Sequence, residues 1–146
     1  MKRLLAVVLI PLVWVSFAHA SDIKVDAKMA KDKDSKPTTH FDVDTPQVFA
    51  FFHTDGSHKG DKLRAVWIAD DVGEAALANT KIDETGLTAD KDNFFGAFSL
   101  SKPTKGWPEG KYHVDIYAGD DLATSVKFTI GKSEDSEESK EDSSND

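Results

Sequence analysis

Apolar and polar residues alternate along most of the chain, and a period of two is the signature of strands with one face buried. Ile23, Val25, Ala27 and Met29 alternate with Lys24, Asp26 and Lys28. A polar turn (KDKDSKP) follows, then a second run from Thr38 to Val43. Gln47 to His53 (QVFAFFH) is apolar on both faces, as in a central sandwich strand or one covered by a loop. Lys62 to Ala69 sets Leu63, Ala65, Trp67 and Ala69 on one side. Phe94 to Leu100 groups Phe94, Phe98 and Leu100, and Lys111 to Ala118 turns Tyr112, Val114, Ile116 and Ala118 inward. Val126, Phe128 and Ile130 close the series.

Turn residues separate these runs at Asp55-Gly56, Lys59-Gly60-Asp61, Pro103 through Gly110, and Gly119-Asp120-Asp121. The last joins two well-patterned runs and predicts a hairpin loop. Val72 to Asn79 has some helical character behind Asp71 as N-cap, but it is short and contains a glycine. A loop with one helical turn is expected there. The pattern therefore predicts an all-β, antiparallel sandwich of about seven strands.

The two ends of the chain follow other rules. Lys2 and Arg3 precede the apolar run Leu4 to Phe17, and Ala18-His19-Ala20 follows it. This order describes a secretory signal peptide, residues 1–20, cleaved after Ala20. As a helix the apolar run reaches only about 21 Å, short of the roughly 30 Å hydrocarbon core, and Pro11 interrupts it. Export to the periplasm or the medium is expected, with no stable membrane anchor after cleavage. Residues 133–146 (SEDSEESKEDSSND) hold seven acidic residues, one lysine and nothing apolar, which predicts a disordered acidic tail. The folded domain is expected over residues 21–132.

Charge and composition narrow the chemistry. The 146 residues carry a net charge of −8, and basic residues lie singly among carboxylates, so no nucleic-acid partner is expected. With no cysteine, the sandwich must be disulfide-free, and a Cys nucleophile or Cys-ligated metal is excluded. No Gly-x-Ser-x-Gly and no phosphate-binding glycine loop occur, so no catalytic residue and no cofactor is assigned.

His53 and His58 flank a turn and could share a metal ion with Asp55 or Asp61, and His40 precedes Asp42 and Asp44. Surface loops of an acidic protein hold such residues by chance as well. Asp32-Lys33-Asp34-Ser35 and Asp90-Lys91-Asp92-Asn93 lack the glycine and the glutamate of a calcium loop and read as hairpin turns.

The segment Phe98 to Tyr117 (FSLSKPTKGWPEGKYHVDIY), with Phe128-Thr129-Ile130, resembles the closing half of small exported bacterial immunoglobulin-like domains. The resemblance covers roughly Gln47 to Ile130. It implies that Gly110 and the prolines stiffen a corner, and that Trp107 lies over the end of the core. By the same resemblance Tyr112 hydrogen-bonds back to that corner, and Trp67 is the buried tryptophan of the third strand. Such domains serve as binding, assembly or spacer modules, so the resemblance implies a non-enzymatic accessory role.

With Trp67 inward, Val66 and Ile68 are expected outward beside His113 and Tyr117, forming an apolar patch rimmed by Arg64, His113 and Asp115. The loop from Val72 to Asn79 could instead cover it. Uncovered, that face is the expected contact with a protein or cell-envelope partner, a second copy included. Two other functions compete: a loop-borne metal-binding protein using His53 and His58, and a protease inhibitor or enzyme acting through loops.

Overall fold

The computed structural model describes residues 22–132. The expected signal peptide with its cleavage point, and the expected acidic tail, lie outside the described residues. Eight strands follow in order: β1 (Lys24–Ala30), β2 (His40–Phe41), β3 (Gln47–Asp55), β4 (Lys62–Asp71), β5 (Thr80–Thr88), β6 (Phe95–Ser101), β7 (Gly110–Ala118) and β8 (Asp121–Ile130). They form a three-stranded sheet, β1-β3-β6, and a five-stranded sheet, β2-β8-β7-β4-β5. One 3-10 turn, Gly73–Ala75, sits in the loop where a helical turn was expected; Asp71 accepts a hydrogen bond from the Gly73 amide.

Two points depart from the sequence reading. The second run shrinks to His40–Phe41 and pairs with β8 in parallel, so the five-stranded sheet is mixed rather than antiparallel throughout. Thr80–Thr88 (TKIDETGLT), unassigned from the sequence, forms the edge strand β5. Its residues are almost all exposed, so no buried side is written into its pattern, and only pairing with β4 makes it a strand.

The core lies between the two sheets. Val48, Ala50 and Phe52 of β3, with Phe98 and Leu100 of β6, meet Leu63, Ala65 and Trp67 of β4 and Val114 and Ile116 of β7. An aromatic cluster closes one end. Tyr112 stacks on Phe128 at 5.3 Å between ring centres, and Trp67, 0% exposed, meets Phe128 edge-on at 6.0 Å. The Trp67 indole N–H is buried without a hydrogen-bond partner, a cost outweighed by the area the ring buries.

The corner before β7 is held by two side-chain hydrogen bonds. The Trp107 indole donates to the Thr45 carbonyl at 2.6 Å, and the Tyr112 hydroxyl donates to the Pro108 carbonyl. Gly110 has φ of +151° and packs so closely on the end of β4 that an added Cβ would lie 2.1 Å from the Asp71 carbonyl oxygen. The corner thus fixes where β7 begins, and through β7 the residues on the outer face of the larger sheet.

Candidate functional site

The outer face of the five-stranded sheet is built by register. Arg64, Val66, Ile68 and Asp70 of β4 lie beside Tyr117, Asp115 and His113 of β7 and opposite Glu84 and Lys81 of β5. Val66, Ile68, His113 and Tyr117 do share this face, but they do not form an exposed apolar patch. Val66 is only 8% exposed, and Ile68 is half-buried. The physical reason is ionic cover. Arg64 pairs with Glu84 at 3.0 Å, Lys81 pairs with the same carboxylate at 2.9 Å, and the Arg64 guanidinium lies 4.2 Å from the centre of the Tyr117 ring. The two cations hold the Glu84 carboxyl below the usual carboxylate range. The Val72 to Asn79 loop does not supply this cover with its own largest apolar residue, because Leu77 is exposed.

His113 is half-buried on this face between two carboxylates. Its Nδ1 lies 2.5 Å from Asp70 Oδ1 and its Nε2 lies 3.4 Å from Asp115 Oδ2. The carboxylates sit at opposite ends of the ring and do not converge on a common point. The arrangement positions the ring; it does not form a metal centre.

The loop histidines have different partners. His53 stands exposed on β3 and stacks on Phe95 at 5.7 Å, while the His58 amide donates to Asp61 within its own turn. Among the described residues no group of three or more His, Cys, Asp or Glu is arranged to hold a metal ion. Asp32 accepts from the Ser35 hydroxyl and from the Asp34 amide, which makes its segment a closed turn and lowers the carboxyl pKa.

The feature that the alternation concealed lies on the opposite side of the molecule. Even-numbered positions of β3 fill the core, so Phe49, Phe51 and His53 point outward from the three-stranded sheet. Phe49 stacks on Phe51 at 5.5 Å, and His53 on Phe95 of β6, which is 68% exposed. Asp26 and Lys28 of β1 pair with His53 and Phe51, and the β1–β2 turn rises beside them to wall an open cleft of about 300 Å³. The signal for this stripe was the two-sided apolar run QVFAFFH, and the sequence could not show that its second side stays partly open.

Two layers in the order β1-β3-β6 over β2-β8-β7-β4-β5 carry a buried tryptophan on β4 and a tyrosine bonded back to the corner before β7. Those are the marks of the immunoglobulin-like sandwich. Comparison with solved structures finds distant similarities. An immunoglobulin-like protein from Pseudomonas aeruginosa is 11% identical, with 75% of this chain and 97% of that chain covered and a TM-score of 0.49. An alkylpurine DNA glycosylase from Pseudomonas fluorescens is 12% identical over 77% of this chain and 31% of its own, at a TM-score of 0.45. A beta-glucosidase from Listeria innocua is 8% identical over 76% of this chain and 16% of its own, at a TM-score of 0.46. No family model and no curated protein matches the chain.

Proposed function

We propose that this chain is an exported, non-enzymatic binding or accessory module that engages a protein partner through a sheet face. The face assigned to that role is the outer side of the three-stranded sheet, not the ion-paired side that bears Val66 and Ile68. One observation carries the reading. In a chain of net charge −8, an aromatic stripe of Phe49, Phe51, His53 and Phe95 stands at the surface with Phe95 68% exposed. Aromatic rings held in place by stacking on one another supply contact area at little cost in rotamer entropy, and such rings anchor protein interfaces.

Site-specific photocrosslinking in the exporting cell tests it. A crosslinker at Phe95 should yield one adduct of defined mass, and the same group at Leu77 or Ile68 should not. Equal adducts at all three positions, or none at Phe95, would refute the assignment.

A further inference from the structure

The sandwich stops one strand short on one side. Inward positions of β5 are Asp83, Thr85 and Leu87, opposite Trp67, Ala65 and Leu63 of β4. Those three β4 residues are buried, yet Asp83 and Thr85 are exposed. Among the described residues the smaller sheet ends at β6, and the exposure of Asp83 and Thr85 shows that no described strand covers this side of β5.

The free edge of β6 is equipped to pair. Thr54 donates to the Phe94 carbonyl and Lys102 donates to the Pro46 carbonyl, which sets the phase of the β3–β6 ladder. By alternation Gly96, Phe98 and Leu100 bond toward β3, so the amides and carbonyls of Phe95, Ala97, Ser99 and Ser101 face away from it. Among the described residues no strand takes them up. The other edges are guarded: β1 by Lys24, Asp26 and Lys28, β5 by Lys81, Asp83 and Glu84, and β2 by being two residues long. β6 (FGAFSLS) bears no charge and no proline.

The geometry points to a strand-receiving site: an extended segment of a partner polypeptide adds antiparallel to β6 and lies beneath the uncovered side of β5. This rests on the reading of the chain as a binding module and names the form of its partner. Charge selects the occupant. A cationic residue on the inward side of the added strand meets Asp83, and an apolar one meets Leu87. A second copy does not fit, since pairing β6 with its own twin drives each β5, with its inward Asp83, into the layer that the other copy's larger sheet already occupies. The chain's own residues 133–146 are acidic and would face the same carboxylates.

The probe is a short synthetic peptide of alternating threonine and valine with lysine in place of one valine, added to the full mature chain. Amide hydrogen exchange read residue by residue should show Phe95, Ala97, Ser99 and Ser101 gaining protection. Ala97→Pro removes an amide that the β3 ladder does not use, so the fold persists while peptide affinity falls about tenfold or more. Replacing the peptide's lysine by glutamate weakens binding about threefold, and Asp83→Lys reverses that preference.

The inference is overturned if the peptide leaves those amides unprotected, or if they become protected with rising protein concentration alone. In either case a crosslink at Phe95 shows that the binding-module reading survives. Loss of that crosslink as well removes both.

Discussion

Tyr112→Phe deletes one oxygen from the corner that starts β7, and its effect should change sign with pH. The ring is 2% exposed, and its hydroxyl donates to the Pro108 carbonyl. Near pH 8 the substitution leaves that carbonyl without its donor and should cost about 1–2 kcal/mol. Burial pushes the Tyr112 phenol from 10.0 up to about 12. Its folded-state pKa therefore lies above its unfolded one. The stability it contributes is complete below pH 10 and is lost as pH rises toward 12, because the unfolded chain releases the proton first. Each pH unit of that window removes about 1.4 kcal/mol. Near pH 11 the wild type has lost roughly that amount, and the phenylalanine variant has lost nothing from this source. The two stability curves should therefore converge and cross close to pH 11. Urea unfolding followed by tryptophan fluorescence near pH 8 and near pH 11 measures the difference directly, and lysine deprotonation, common to both chains, cancels in it. A difference that stays constant from pH 8 to pH 11 would show that the phenol is not held neutral by the fold, and the account of the corner would fail.

Three further outcomes follow from the same fold. Gly110→Ala places a Cβ against the Asp71 carbonyl oxygen and the Val72 Cα at a φ of +151°, and thermal unfolding should show a loss of more than about 3 kcal/mol. Trp107→Phe removes the hydrogen bond to the Thr45 carbonyl and part of the edge-on contact with Tyr112, at about 2 kcal/mol by urea titration. Ile68→Lys, on the half-buried ion-paired face, should leave the far-ultraviolet spectrum unchanged and lower stability by only about 1 kcal/mol; an unfolded product would mean that this face is packed rather than merely covered.

The strands that alternate were legible from the sequence because each buries one side. Tyr112, Val114, Ile116 and Ala118 of β7 are buried in turn, and the residues between them are not. β5 was not legible, since a strand hanging past the edge of the facing sheet keeps no side dry and loses the period that would reveal it. The cover over Val66 was hidden for a different reason. Arg64 is its near neighbour in sequence, but Glu84 reaches it only through the β4–β5 register, and no single strand encodes its partner's side chains. The aromatic stripe was half visible. QVFAFFH announced two apolar sides, and only the packing of its sheet against the larger one decided which of them would face water.

The parallel contact of β2 with β8 has a mechanical consequence. These strands lie toward opposite ends of the described chain, and they are joined by the Thr129 amide on the Thr39 carbonyl, the Gly131 amide on the Phe41 carbonyl and the His40 ring on the Thr129 hydroxyl. Tension that reaches β2 from its amino-terminal side and β8 from its carboxy-terminal side draws the two lengthwise past each other, so these bonds bear the load simultaneously instead of opening one by one like a zip. A pair clasped in that manner yields to lengthwise shear less readily than to peeling.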